Sequence, residues 1–172
     1  MTLPPTFSIK YAGKERRQVS NVLHADLHGL GAEFGVPVTE VSGKLADHQS
    51  ELEALAPDFI LVIGWYHMIP RSILKLPPRG VAGIHASLLP KFRGNAPLVW
   101  SMIEGETETG VSLFYFGEGV DEGDLIGQRA FPIGSEQTIA DLLVKATAAS
   151  IEVLLEHYDS IAEGTDRKST RL

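Results

Sequence analysis

Residues 80–97 read GVAGIHASLLPKFRGNAP, and this stretch carries the strongest indication of the fold. Its first part, GVAGI (80–84), is apolar, which is typical of a strand that is buried in a parallel sheet. His85 follows directly, and Pro97 stands where a proline favours the first turn of a helix. The stretch therefore predicts a strand, a loop and a helix, with a histidine at the carboxyl end of the strand.

The rest of the chain alternates between helical and extended patterns. Apolar spacing predicts helices over residues 22–34, 47–56, 97–104 and 139–161, and apolar runs predict strands over 36–41, 59–64, 80–84, 110–116 and 125–133. The run FILVIG (59–64) is continuously apolar, so we expect it to be buried on both faces of the sheet. This order predicts a three-layer α/β fold with a mostly parallel sheet. We expect one domain over residues 1–163 and a flexible tail over 164–172.

Composition excludes several classes of protein. The 172 residues include no cysteine, so disulfides and thiolate chemistry are excluded. The net charge of −7 argues against a broad phosphate-binding surface, and we expect no nucleic-acid partner. No apolar run approaches the roughly 20 residues that span a bilayer, and the N-terminus has no signal-peptide pattern, so we expect no membrane partner and a cytoplasmic location. His24 and His28 have helical spacing without an evident third ligand, so we expect no metal.

Three predicted strand ends carry the chemistry-bearing side chains, because ligands of such sheets bind beyond the carboxyl ends of the strands. They are GWYHMIP (64–70), HASLLP (85–90) and EGVDEGD (118–124). His85 suits proton transfer, or it is a structural residue at a strand end. Asp121 suits a turn or a cation-binding loop, although the EF-hand spacing is absent. The aromatic residues and methionine of the first loop either cover the sheet edge or clamp a flat heterocycle.

Together these loops resemble the 10-formyltetrahydrofolate-dependent formyltransferase family. That family includes methionyl-tRNA formyltransferase, glycinamide ribonucleotide formyltransferase and the nucleotide-sugar N-formyltransferases. Its pattern is Asn-x-His-[Gly/Ala/Pro]-Ser-Leu-Leu-Pro, an Arg-Gly segment and Gly-x-Asp-x-Gly-[Asp/Pro], which GIHASLLPKFRGNAP and EGVDEGDLIGQ match here. The likeness extends over about residues 57–155. It implies a Rossmann-like formyltransferase fold, shortened at its N-terminus, and a single catalytic domain over residues 1–163.

The resemblance also implies which residues act. A substrate amine attacks the formyl carbon of 10-formyltetrahydrofolate, and the tetrahedral intermediate needs stabilisation and proton transfer. His85 is the implied imidazole, and Asp121 is the implied aspartate that orients His85 or holds it protonated. The implied residues for binding the folate co-substrate are Trp65, Tyr66, His67, Met68, Ile69, Leu88, Leu89, Pro90, Gly117, Glu118, Gly119 and Val120.

The chain departs from the family pattern in two places. Gly83 stands where the family has its catalytic asparagine, and Asn95 is a candidate substitute. If the missing amide limits the rate, Gly83→Asn raises it. The family's first βα unit has no counterpart in front of MTLPP, and exposed sheet edges there would favour a homodimer.

Three functional interpretations follow from these departures. We expect formyl transfer to a small amine, such as a nucleotide-linked amino sugar, with a methionyl-tRNA formyltransferase-like protein as the alternative. A catalytically impaired folate-binding module is the second interpretation. The third is an α/β interaction domain in which His85 and Asp121 are structural.

Overall fold

The computed structural model describes residues 1–10, 16–20, 24–65 and 67–166. The chain folds as two compact units, Met1–Leu52 and Glu53–Leu172. Among the described residues, no helix is long and apolar enough to cross a lipid bilayer.

The first unit opens with a hairpin that the sequence patterns did not indicate. Strand β1 (Thr6–Lys10) pairs antiparallel with β2 (Arg16–Ser20). The sequence of β2 is RRQVS, so it offers one aliphatic residue and no apolar alternation. An apolar pattern could therefore not mark it as a strand.

The helices before residue 56 agree in part with the prediction. Helix α1 (His28–Phe34) is shorter than the predicted helix over 22–34, and Asp26 Oδ1, just before its start, accepts the His28 N–H at 2.9 Å. Residues 22 and 23 lie outside the described residues. A 3₁₀ helix (Leu45–His48) followed by α2 (Gln49–Leu55) confirms the predicted helix over 47–56.

The predicted strand over 36–41 is wrong. A single parallel bridge joins Thr2 to Glu40, and the described residues of this segment form no strand. Pro37 has no N–H to donate to a ladder, which weakens strand pairing at this point.

The second unit is built on a mixed four-stranded sheet. Its strands are β3 (Ile60–Val62), β4 (Val81–His85), β5 (Glu108–Tyr115) and β6 (Leu125–Pro132), in the order β3-β4-β5-β6. The α/β class is confirmed, but only β3 and β4 pair in parallel, so the expected mostly parallel sheet is wrong in this unit. Strands β5 and β6 are joined by a short loop, and a short loop forces antiparallel pairing.

Strand β3 does not have the environment that its sequence predicts. It covers only part of the apolar run FILVIG, and Leu61 is 39% exposed. In the described sheet it is an edge strand, so burial on both faces is wrong. Its contribution is to pair with β4 and align the loop that follows it.

Three helices complete this unit: α3 (Arg71–Leu74), α4 (Pro97–Ile103) and α5 (Ile139–Glu163). Pro97 occupies the first turn of α4, as predicted. Helix α5 begins at a capping box formed by Thr138 and Asp141 and ends at Gly164, whose φ of 70° suits a glycine. The predicted long C-terminal helix is confirmed.

The sheet has two different faces because side chains alternate along each strand. One face packs against α5, where Val111 and Leu113 meet Leu142, Ala146 and Val153 in the core. The opposite face carries His85, Ser112 and Gln128, which lie side by side in the registers of β4, β5 and β6. The apolar face thus anchors strands whose other face carries these three polar side chains beside the buried ring of Phe114.

Candidate active site

His85 is the last residue of β4, and 9% of its surface is exposed. Its Nε2 lies 2.8 Å from the carbonyl oxygen of Phe92. A carbonyl oxygen only accepts hydrogen bonds, so Nε2 is the donor and carries a proton. The ring is thereby held in one orientation, with Nδ1 on its other edge available for exchange of a proton.

Asp121 faces that second edge of the ring. Its Oδ2 lies 3.5 Å from His85 Nδ1 and accepts the backbone N–H of Gly94 at 2.7 Å. Oδ1 makes no hydrogen bond with the described residues. The structure therefore brings together the two residues that the sequence predicts as catalytic, one fixed by the Phe92 carbonyl and the other by the Gly94 amide.

The backbone around this pair adopts conformations that side chains disfavour. Phe92, Ala96 and Asp121 have φ values of 53°, 54° and 47°. Such conformations cost about 1–3 kcal/mol each and persist where surrounding contacts impose them. Here they aim the Phe92 carbonyl at His85 and place the Asp121 carboxylate beside it.

The loop that carries Asp121 is tied to the sheet by backbone hydrogen bonds. Phe116 N–H donates to the Val81 carbonyl at 2.8 Å, and Gly117 N–H donates to the Glu122 carbonyl at 2.7 Å. Arg93 lies 3.7 Å from Glu122, in the segment that also supplies Gly94. The loop between β5 and β6 and the loop after β4 therefore meet at the His85–Asp121 pair.

The residues predicted to bind folate lie in three places. Trp65 and His67 make an edge-to-face ring contact at 5.8 Å, with Met68 exposed and Ile69 half-buried; Tyr66 lies outside the described residues. Leu89 is buried, and Pro90, which follows it through a cis peptide bond, is exposed.

The third place is the loop between β5 and β6. Glu118, Gly119 and Val120 are exposed there, and Gly117 is half-buried. Glu118 forms an ion pair of 2.8 Å with Arg71 of α3, so this loop is linked to the chain that follows Trp65–Pro70. The folate-binding role of all these residues stays a prediction.

The position of the missing asparagine is filled by an aromatic ring. A Cβ built on Gly83 would lie 2.6 Å from Phe116 Cζ and 2.7 Å from the Val62 carbonyl oxygen. Asn95, the candidate substitute, is exposed and makes no hydrogen bond with the described residues. The structure does not join it to His85 or Asp121.

Sequence reasoning missed the residues that hold the pair in place. Phe92 and Gly94 act through backbone atoms, which no side-chain pattern reveals, although the Arg-Gly segment that contains Gly94 belongs to the quoted motif. Phe116 and Ser112 lie in a segment that predicts a strand and nothing more. Their roles depend on cross-strand register, which one sequence does not give.

Comparison with known proteins identifies the family. The model of the formyl transferase family matches residues 9–157. The chain belongs to the formyl transferase family. A methionyl-tRNA formyltransferase of Citrifermentans bemidjiense is 38% identical over 136 residues, which are 78% of this chain and 43% of that protein. The chain thus spans less than half of the length of this relative.

Solved structures agree with this assignment. Glycinamide ribonucleotide transformylase 1 from Symbiobacterium toebii matches with a TM-score of 0.74 and 26% identity, over 82% of this chain and 71% of that one. The formyltransferase PseJ from Anoxybacillus kamchatkensis matches with a TM-score of 0.67 and 25% identity, over 85% and 74%. The PseJ structure is a complex with UDP-4,6-dideoxy-4-formamido-L-AltNAc and tetrahydrofolate. The Rossmann-like formyltransferase fold is confirmed.

One expectation about partners is wrong. The net charge of −7 suggests that nucleic acid is no partner, but the curated relatives are methionyl-tRNA formyltransferases, whose named substrate is a tRNA. Net charge sums over the whole chain, whereas contacts to phosphates depend on where individual cations lie. Net charge is therefore a poor indicator of whether a protein binds nucleic acid.

Proposed function

We propose that this formyl transferase chain carries a site that moves a formyl group from 10-formyltetrahydrofolate to a primary amine. One observation carries the proposal: His85 Nδ1 and Asp121 Oδ2 face each other at 3.5 Å, with the ring held at Nε2 by the Phe92 carbonyl and the carboxylate held at Oδ2 by the Gly94 N–H. Amine formylation requires a proton to leave the attacking nitrogen and a proton to reach the departing one. A fixed imidazole beside a fixed carboxylate suits that task.

Each residue of the pair has a distinct part in the proposal. His85 exchanges protons through Nδ1, because Nε2 is engaged with the Phe92 carbonyl. Asp121 Oδ2 stabilises the ring when it is protonated. Asp121 Oδ1, which makes no hydrogen bond with the described residues, is available to an incoming amine. The Gly94 N–H prevents the carboxylate from rotating away.

Exposed apolar side chains in the loops predicted to bind folate support the donor part of the proposal. Met68 and Val120 expose 66% and 52% of their surfaces, which offers apolar contact to a flat ring. The indole N–H of Trp65 is buried and has no hydrogen-bond partner in the described part of the chain. We propose that the loops Trp65–Ile69, Leu88–Pro90 and Gly117–Val120 hold the pterin. The bound donor would supply the activated formyl group.

Calorimetric titration with the stable analogue 5-formyltetrahydrofolate tests donor binding. We expect wild type to bind at micromolar concentration and Asp121→Asn to bind more weakly. Glu136→Gln is the control, since it removes one negative charge from an exposed residue outside the site. No heat of binding from folded wild-type protein would contradict the proposed folate site.

For the acceptor, we propose the amino group of methionyl-tRNA. This choice is supported by the 38% identity to a protein of that name, against 25% to PseJ. A UDP-linked amino sugar is the second candidate, supported by the fold match to PseJ over 85% of this chain. Both acceptors present a primary amine to the same pair of side chains.

Transfer of radiolabelled formyl from the donor to each acceptor separates the two candidates. We expect labelled methionyl-tRNA and little labelled sugar. Label on the sugar alone would replace the proposed acceptor and keep the proposed chemistry. Absence of label on both acceptors, with donor binding intact, would favour a folate-binding module without transferase activity.

A further inference from the structure

A row of three polar side chains crosses the face of the sheet opposite α5. Ser112 of β5 lies opposite His85 of β4 and also opposite Gln128 of β6. We propose that Ser112 and Gln128 are positioning residues: they hold the loop after β4 so that its Phe92 carbonyl orients His85. This inference deepens the proposed function and rests on it for its effect on rate.

The hydroxyl of Ser112 is fully hydrogen-bonded, twice to the loop and once to Gln128. It donates to the Ser87 carbonyl at 2.6 Å and accepts the N–H of Leu89 at 3.0 Å and the amide of Gln128 at 2.8 Å. A hydroxyl has one donor and two acceptor sites, so none is left over. Both Ser112 and Ser87 are completely buried, where an unmade hydrogen bond costs the desolvation of its partner.

Gln128, on the neighbouring strand β6, also holds the loop, and we call Ser112 and Gln128 together the clamp. Its side-chain nitrogen donates both to Ser112 Oγ and to the Leu89 carbonyl at 3.0 Å. The backbone of Leu89 is therefore held at its N–H by Ser112 and at its carbonyl by Gln128. Gln128 lies at the surface, so its exchange removes the two bonds without opening the core.

The clamp reaches His85 through the remainder of the loop. Ser87 Oγ donates to the Lys91 carbonyl at 2.6 Å, which fixes the residue immediately before Phe92. Phe92 has a φ of 53°, a conformation that only its surroundings can hold. Loss of the clamp would let this turn relax and withdraw the carbonyl from His85 Nε2.

The tautomer of the His85 ring shows whether Ser112 and Gln128 position it or have a merely structural role. Histidine-labelled protein gives long-range ¹H–¹⁵N spectra that report which ring nitrogen carries the proton, and His85→Asn assigns the signal. In wild type, at a pH where the ring is neutral, we expect a single form protonated at Nε2. In Ser112→Ala and Gln128→Met we expect averaging between the two tautomers.

Ser101→Ala is the matched control. Ser101 is also completely buried, and its hydroxyl donates within α4 to the Leu98 carbonyl at 2.8 Å, away from the loop. It should leave the His85 signals unchanged. If Ser112→Ala does not fold, the spectra of Gln128→Met alone test whether the clamp orients His85.

The kinetic consequence is measured in the same proteins. We expect kcat for formyl transfer to fall about 10- to 100-fold in Ser112→Ala and Gln128→Met, as for a misplaced catalytic group, and to stay near wild type in Ser101→Ala. Unchanged His85 signals in the two clamp variants, or an equal change in Ser101→Ala, would overturn the inference. Altered signals with unchanged kcat would overturn its catalytic part. If wild type transfers no formyl group, the proposed function fails, and the spectra alone decide whether the clamp positions His85.

Discussion

The ring of Phe116 lies in the space that a side chain at Gly83 would need, with Cζ 2.6 Å from the position of a Cβ. Phe116 also packs against Phe114, at a ring separation of 5.0 Å. The glycine and the aromatic ring are therefore complementary in volume. A side chain cannot be restored at position 83 without moving the ring and the Val62 carbonyl of β3.

We predict that Gly83→Asn destabilises the protein and does not raise the rate. Overpacking of this kind costs about 1–3 kcal/mol, which chemical denaturation measures. Gly29→Asn is the control, since nothing lies within 4 Å of a Cβ there. The double variant Gly83→Asn/Phe116→Ala should recover part of the loss. A faster enzyme of unchanged stability from the single exchange would contradict this prediction, and would support the expectation that the missing amide limits the rate.

We predict that His85→Asn lowers kcat by about 10²–10⁴, the usual contribution of general acid–base catalysis, with donor affinity within a few-fold of wild type. The asparagine amide still donates hydrogen bonds, so the loop at Phe92 keeps a partner. Single-turnover formyl transfer measures the rate, and calorimetry measures the affinity. Normal turnover in the variant would assign His85 a structural role.

We predict an acid-sensitive contribution to stability at the start of α5. The backbone N–H of Thr138 and then its hydroxyl donate to Asp141, and these hydrogen bonds lower the pKa of Asp141 below its usual 3.8. A carboxyl group whose pKa is lower in the folded state stabilises that state above its unfolded pKa, and the contribution is lost as the pH falls through the folded pKa.

Thermal unfolding across pH tests this assignment. Asp141→Asn should have a lower Tm than wild type at neutral pH, and the difference should shrink in acid below the usual 3.8. Asp159→Asn, on the same helix, is the control, because Asp159 has no hydrogen bond or ion pair with the described residues. A difference in Tm that persists unchanged into strong acid would contradict the assignment.

The sequence predicts the elements of the second unit better than their arrangement. Apolar residues mark β5 because nearly all of it is buried, and they mark α5 because its buried residues recur on one face; β6 is marked although it has one fully buried residue. An apolar pattern cannot give strand direction or neighbours, so the antiparallel pairing of β4 with β5 and the edge position of β3 were not predictable from it. Strand β2 of the first unit lacks an apolar pattern. The cytoplasmic location, the single domain over residues 1–163 and the tail over 164–172 stay predictions.

The candidate site also contains residues that the sequence predicts and residues that it does not. His85 and Asp121 could be named from the motifs, because their chemistry lies in their side chains. The backbone atoms of Phe92 and Gly94 that hold them could not, since any residue supplies a carbonyl or an N–H. The partners of Ser112 follow from a register across three strands, which depends on the assembled sheet.

The rate of formyl transfer in wild type, Asp121→Asn and Glu136→Gln tests the central claim most directly. Asparagine can still accept the Gly94 N–H, so the loop should keep its position while the charge beside His85 is lost. We predict a loss of about 10²-fold or more in Asp121→Asn, as for general acid–base groups, and a rate near wild type in Glu136→Gln. Equal rates in all three proteins would contradict the account, because the carboxylate that faces His85 would then have no part in the reaction.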